Sequence, residues 1–418
     1  MISDAEMRDL LRQALDALGP QQRVLAVPPD FTRADSRAGI LTTWLFEYFG
    51  DQLSDILPAL GTHDPMPQWQ LERMFPGVPL DRFRVHDWRN DVKTVGTIPA
   101  DDVRAATEGV WDRPWPAQLN QLVCDGGHDL IISIGQVVPH EVVGMANHAK
   151  NLFVGTGGKD GINESHFIGA AYGMERMMGR TDTPTRRLLS LATDRFLSHH
   201  QVLWVLTVVG PASADEAGDH HGLVTRGLYI GTGFECFAQA AALAQKVNFQ
   251  QLDEELHKVV VYLDPEEFHS TWLGNKSVYR TRMAIADGGE LIVLAPGLET
   301  FGEDKTIDAL IRKYGYRTTP EIMAALEANE DLANNLSAAA HLIHGSSEGR
   351  FTVRYCPGPK LSRKEIESVG YSWGDLDAYS ARYDRRQLRP GFNNHAGERI
   401  FYIPNPALGL WAHKSRFQ

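Results

Sequence analysis

Leu130-Ile-Ile-Ser-Ile134, running on through Gly-Gln-Val-Val to Pro139-His140, decides how this chain is built. An unbroken run of small and apolar residues, rich in β-branched side chains, reads as a strand covered on both faces. A histidine follows within a few residues of its carboxyl end. The same grammar recurs along the chain. Val24-Leu-Ala-Val27 precedes Asp30-Phe31-Thr32-Arg33, and a strand over Ile56 to Leu60 precedes Gly61-Thr62-His63. Val259-Val-Val-Tyr-Leu263 leads, nine residues on, to Trp272 and then Lys276. Val202 to Val209 and Leu291-Ile-Val-Leu294 have the same continuous apolar character.

Helical spacing lies between these strands. Ser3-Asp-Ala-Glu6 has the form of a capping box, and Met7, Leu10, Leu11, Ala14, Leu15 and Leu18 follow it on one face. Ile40 to Phe49, Cys236 to Val247 and Ile307 to Tyr314 are further helices. Strands alternating with helices predict an α/β protein with largely parallel sheets. Ligands in such folds bind beyond the carboxyl ends of the strands, so the loops at Asp30, His63, His140 and Trp272 are expected to face one crevice.

A chain of 418 residues exceeds what one compact core usually holds. We therefore expect two α/β domains with the active site in the cleft between them. Residues 1–248 form the first, completed by 388–418 returning as an edge strand, and 249–387 form the second. Hydrophobic residues at 43% and charged residues at 22% are ordinary globular values. A net charge of -12 excludes nonspecific nucleic-acid binding, which needs a surplus of Lys and Arg. Cys124, Cys236 and Cys356 are far apart and odd in number, which argues against a disulfide framework or a thiolate zinc site. The amino terminus lacks a basic start and an apolar core, and no apolar run is long enough to span a bilayer. A cytoplasmic protein with no membrane partner is expected, its oligomeric state open.

The densest chemistry lies in Pro139-His140-Glu-Val-Val-Gly144-Met-Ala-Asn147-His148-Ala-Lys150, with His166 sixteen residues beyond the lysine. Together these can supply a base, a covalent tether and a metal ligand. Each has a plainer reading. Asp30 and Arg33 could pair in a surface turn, His63 could be a solvated turn residue, and His166 could sit at a helix start. Lys150, beside Leu152-Phe153-Val154, is harder to dismiss, because lysine is rarely buried without a partner. Gly155-Thr-Gly-Gly-Lys159-Asp-Gly161 lacks the Walker spacing and reads as a turn whose amides could still meet an anion. The pairs His199-His200 and His220-His221, the latter near Asp215, Glu216 and Asp219, read as solvated loops.

In order and spacing these residues resemble the lactate racemase family. The matches are Asp30 with Arg33, Gly61-Thr62-His63, Pro139-His140 with Gly144, Lys150 ten residues after His140, and His166. Lys276, twelve residues before Gly288-Gly289, completes a pattern covering roughly residues 20 to 300. The resemblance implies a nickel-pincer nucleotide, a pyridinium-3-thioamide-5-thiocarboxylic acid mononucleotide carrying nickel, tethered to Lys150. His166 would be the nickel ligand and His63 and His140 paired catalytic bases, with Arg33 and Lys276 binding the substrate carboxylate. Asp30, Thr32, Gly155 and Trp272 would lie against the cofactor. The implied partners are a small 2-hydroxy acid and the enzymes that assemble the cofactor.

The chemistry is coherent. The hydrogen on C2 of a 2-hydroxy acid is not acidic beside a carboxylate. It can leave as hydride if a base takes the hydroxyl proton, and the planar keto acid can then accept hydride on either face. A guanidinium fork suits the carboxylate, and sulfur with imidazole suits nickel. Where the family has Gly-Gly before the tether lysine, this chain has Asn147-His148; where it has Tyr-Gln, this chain has Trp272-Leu273. Both departures point away from lactate, toward a longer acid such as gluconate, epimerised at C2, with Asn147 and His148 binding its distal hydroxyls. Lys159, after Gly157-Gly158, is a rival tether that loses both spacings. The competing readings are a pyridoxal-phosphate enzyme built on Lys150 and a noncatalytic carboxylate-binding protein.

Overall fold

The computed structural model describes residues 1–213, 215–216, 222–395, 397–407 and 409–417. His220-His221 and Asp219 lie outside the described residues. The chain divides into two compact units, Met1–Ile168 with Met177–Asn248, and Gly169–Arg176 with Phe249–Gln418.

The first unit is organised on a five-stranded sheet in the order Leu53–Ile56, Val24–Val27, Leu130–Gln136, Val202–Pro211, Leu223–Gly231. The first four strands are parallel, and the last turns back antiparallel. Val24–Val27 and Leu130–Gln136 are buried along their whole length, as their unbroken apolar runs require. Helix Asp4–Leu18 opens with the capping box of Ser3 and Glu6 and buries Met7, Leu11 and Leu15. These join Leu41 and Leu45 of helix Ala38–Phe49 in one core with Val24, Ala26 and Ile132.

From Val24–Val27 the chain first adds a strand on one side, then crosses to place Leu130–Gln136 on the other. The strand order therefore reverses beside Val24–Val27, and the carboxyl ends of these two strands frame the crevice of an open α/β sheet. The second strand differs from the sequence expectation: it runs Leu53–Ile56, not Ile56 to Leu60. Pro58 has no N–H to donate, and beyond Ile56 only the Pro29–Ala59 bridge continues the pairing.

Asp55 in this strand accepts hydrogen bonds from Ser54 Oγ at 2.8 Å and His128 Nε2 at 2.9 Å, and pairs with Arg84 Nε at 2.8 Å. Burial raises its pKa, but these partners outweigh burial and hold the carboxyl at about 2. Because that lies below the unfolded value of about 3.9, the stabilisation is present above pH ~4 and is lost as pH falls toward 2. Asp55→Asn is expected to lower stability by about 1–2 kcal/mol at neutral pH. In urea titrations the gap from the parent should close on acidification.

The second unit carries a six-stranded sheet in the order Ser372–Trp373, Thr352–Pro357, Ile285–Ala295, Leu256–Tyr262, Glu398–Ile403, Gly391–His395. All neighbours are parallel except the last pair. The chain's tail thus departs from its expected place in the first domain. Val259, Val260 and Val261 pair with Phe401, Tyr402 and Ile403, while Leu410–His413 pairs with Phe249–Leu252. The reason is burial: Ile400 and Tyr402 share a core with Val260, Ile292 and Leu294. Among the described residues no helix is long and apolar enough to cross a membrane.

Candidate active site

Three loops of the first unit leave the carboxyl end of its sheet carrying the predicted chemistry. Asp30 stands just past Val24–Val27, at the start of the 3-10 turn Phe31–Ser36. Its Oδ2 lies 2.6 Å from His63 Nδ1, and its Oδ1 accepts the Thr32 hydroxyl at 2.5 Å. Burial raises the Asp30 pKa, yet the His63 hydrogen bond and the charges of His63 and Arg33 bring it below the usual carboxylate value. An ionised Asp30 can only accept, so His63 donates from Nδ1, and in the neutral ring the lone pair then lies on Nε2. The Gly61 N–H donates to the Gly155 carbonyl at 2.8 Å, which fastens the His63 loop to the segment behind Lys150.

His140 sits in a tight hairpin in which Pro139–His140 pairs with Gly144–Met145. Gly144 has φ +79, and a Cβ there would fall 2.1 Å from the Arg180 carbonyl oxygen. Gly144→Ala should therefore cost about 1–3 kcal/mol and shift His140, measurable by chemical denaturation. His140 is buried, and its Nδ1 accepts the Val142 N–H at 3.1 Å. Burial drives its pKa well below the ordinary imidazole value; Glu141 opposes this, and Lys150 and Arg33 add to it.

Lys150 lies in the short helix Ala149–Phe153. Asn151 pins that helix by donating to the Val27 carbonyl at 2.9 Å and to Ser133 Oγ at 3.0 Å, across the two strands that frame the crevice. The Lys150 amine has no hydrogen bond or ion pair among the described residues. Burial, reinforced by the Arg33 charge, lowers its pKa to about 8. The rival Lys159 is exposed. His166 lies on helix Lys159–Tyr172 and donates its Nδ1–H to the Ile162 carbonyl at 2.7 Å. That bond leaves the Nε2 lone pair open, and burial keeps the ring neutral by lowering its pKa. The charges of Lys150, Arg33 and His166 all bear on His140, that of Arg33 on Lys150, and that of Lys150 on His166, so these groups lie near one another.

Residues 11–177 match the family described as the lactate racemase N-terminal domain. Over that span the chain is similar to lactate racemases. Its fold resembles that of a Thermotoga maritima protein solved by structural genomics, with a TM-score of 0.82, 22% identity, and 99% and 98% of the two chains covered. It also resembles the lactate racemase apoprotein of Thermoanaerobacterium thermosaccharolyticum, with a TM-score of 0.71, 15% identity and coverage of 97% and 92%. Among curated proteins, none matches the chain by sequence.

Set beside the lactate racemase pattern, the departures acquire structural reasons. Asn147 and His148, standing where the family has Gly-Gly, take φ values of 67 and 58. For residues bearing a Cβ this strain costs on the order of 1 kcal/mol each, so the surroundings must hold it. Arg186 donates to the Asn147 and Met145 carbonyls at 3.1 and 2.5 Å and lies over the Phe237 ring. The Asn147 amide reaches the Ile134 carbonyl and the His148 N–H. The His148 ring packs on Trp204 and Phe237, and burial with the nearby Arg186 charge pushes its pKa down to about 3. Both side chains are buried.

The glycine-rich segment, expected as a turn whose amides could meet an anion, has several of those amides engaged within the protein. The Asp160 and Gly161 amides both donate to Gln118 Oε1 at 3.1 Å, and the Gly155 amide donates to the Lys150 carbonyl. A Cβ on Gly158 would fall 2.5 Å from Gln118 Oε1. Trp272 and Lys276 belong to the second unit, where Trp272 stacks on His341 at 4.4 Å and the Lys276 amine lies 5.5 Å from the Phe268 ring centre. Sequence reasoning missed Asn151, Gln118, Glu141 and Arg186. Only Asn151 left a trace, as an amide inside the otherwise apolar run after Lys150.

Proposed function

We propose that this protein is a racemase or epimerase that inverts C2 of a 2-hydroxy acid, using a nickel-pincer nucleotide attached to Lys150. The observation that carries this is an amine with a lowered pKa and no hydrogen-bond or ion-pair partner among the described residues, near an imidazole whose Nδ1 is engaged by the Ile162 carbonyl. Among the described residues no group of three or more His, Cys, Asp or Glu could hold a metal by itself. A pincer nucleotide brings its own sulfur donors and needs one imidazole, which His166 fits, while the Lys150 amine suits an acyl link. When bound, the group supplies a hydride acceptor. Arg33, whose guanidinium has no ion pair among the described residues, is assigned the substrate carboxylate. His63 takes the hydroxyl proton at Nε2. The family pattern assigns Lys276 a second carboxylate contact and Trp272 a cofactor contact.

Substrate length is a separate matter. Preference for a sugar acid such as gluconate rests on Asn147 and His148, and both have their side chains committed inside the protein. Turnover of lactate and gluconate by one preparation decides between them.

The test is co-production with the cofactor-assembly enzymes, then intact mass, nickel content and assay of C2-deuterated hydroxy acids. We expect a mass adduct on Lys150, bound nickel, and inversion with deuterium retained. Deuterium washed into solvent would overturn hydride transfer. Absence of both adduct and inversion would leave only carboxylate binding.

A further inference from the structure

Within the second unit the Trp272 indole lies nearly flat on the His341 imidazole, with ring centres 4.4 Å apart and planes 29° apart. The indole is half-buried, whereas the imidazole is buried. The backbone under the indole is already fixed. Trp272 donates its N–H to the Phe301 carbonyl at 2.9 Å, and Ser270 caps the short helix Thr271–Gly274. Rotation about the side-chain bonds is what remains to be limited, and a flat ring against one face limits it.

The imidazole is itself held by hydrogen bonds whose direction can be followed. Thr271 Oγ1 lies 2.8 Å from the Phe301 carbonyl oxygen, which can only accept, so the one hydroxyl hydrogen of Thr271 points there. Thr271 Oγ1 also meets the Tyr316 hydroxyl at 2.7 Å, and Tyr316 must therefore be the donor. The Tyr316 oxygen then has only lone pairs to offer His341 Nε2 at 2.9 Å, which places a hydrogen on that nitrogen. Asn275 Nδ2 stands 3.5 Å from Nε2, at the outer limit of a hydrogen bond, and does not displace the shorter contact.

The anchor is rigid. Tyr316 stacks on Tyr371 at 4.5 Å and 11°, and Tyr371 and Tyr355 both donate to Asn275 Oδ1, at 3.0 and 2.7 Å. A Cβ on Gly345 would collide with the Tyr316 ring and the Asn275 amide, so the packing leaves no slack. We infer that His341 is a positioning residue, which donates its Nε2–H to Tyr316 and, so anchored, sets the plane of the Trp272 indole. That the indole serves a bound nucleotide rests on the proposed function; the stack and its anchor do not.

The test has two arms. In the full-length apoprotein labelled with 15N in histidine and tryptophan, nitrogen–proton correlation spectra should show hydrogen on His341 Nε2. The indole signal lost in Trp272→Phe identifies Trp272. That signal should move in His341→Ala and in the milder Tyr316→Phe. In the loaded enzyme, His341→Ala should lower kcat about 10–10²-fold with adduct and nickel retained, and His341→Phe, which keeps a flat ring, should recover most of the loss. Because His341 acts through the indole, Trp272→Ala with His341→Ala should be no worse than Trp272→Ala alone. A bare Nε2, an indole signal unmoved by either substitution, or losses that multiply in the double variant would overturn the inference. A parent inactive on every hydroxy acid would sink the proposed reaction, while the apoprotein spectra still decide the stack and its anchor.

Discussion

Lys150→Ala should remove the mass adduct and the nickel together and lower turnover by at least about 10³-fold, to background. The expected loss is large because neither of the other candidate amines can take over. Lys159 is exposed, and Lys276 lies on a different unit. Lys150→Arg is the sharper control. It keeps the positive charge beside Arg33 and His140 but offers no nucleophilic amine, so it should be as inactive as alanine. Because burial brings the Lys150 pKa to about 8, a substantial fraction of the amine is uncharged near that pH, where an ordinary lysine is almost fully protonated. An acylating reagent applied to the apoprotein near pH 8 should therefore label Lys150 ahead of surface lysines, with labelling falling as pH is lowered. Peptide mass mapping reads this directly. Equal labelling of Lys150 and Lys159 would contradict the environment described for the site.

Asp30→Asn is expected to cost about 10²–10⁴-fold in turnover while leaving adduct and nickel in place. Asparagine nearly matches aspartate in shape, so the loss is one of charge and hydrogen-bond polarity. Its amide can donate to His63 Nδ1, which would turn His63 over to the tautomer with hydrogen on Nε2 and remove the lone pair facing substrate. Even where the amide oxygen still accepts from Nδ1, no carboxylate stabilises the imidazolium formed in the reaction. Nitrogen–proton correlation spectra of the histidine-labelled protein should show the change. Loss of cofactor in this variant, with the His63 tautomer unaltered, would instead return Asp30 to the cofactor contact that the family pattern implies.

Much of the site was legible because its residues follow a rule of chain order. Asp30, His63 and His140 each come soon after a continuous apolar strand, and parallel strands bring their carboxyl ends to one edge. The Lys150 and His166 spacing survives as two successive helices joined by a glycine-rich turn. Less visible were the groups that act at long range in the chain. Nothing local to Gln118 announces that it caps the helix carrying His166, and nothing near Arg186 says that it restrains the strained Asn147-His148 pair. The second strand was misplaced because Leu57-Pro-Ala-Leu60 is more apolar than Leu53-Ser-Asp-Ile56, and pairing with Val24–Val27 places the strand on the more polar segment.

Local composition by itself determined the α/β class, the positions of the continuous apolar strands such as Val24–Val27 and Leu130–Gln136, and the candidates for base, tether and ligand, because burial period and residue chemistry are properties of short segments. Tertiary structure alone decided which groups face the nitrogens of His63 and His140, that the Lys150 amine meets no hydrogen-bond or ion-pair partner among the described residues, and that the tail joins the sheet of the second unit. Those outcomes depend on hydrogen bonds and packing between segments tens to more than a hundred residues apart, such as His63 with Asp30 and Val260 with Tyr402. No local pattern encodes which distant group arrives.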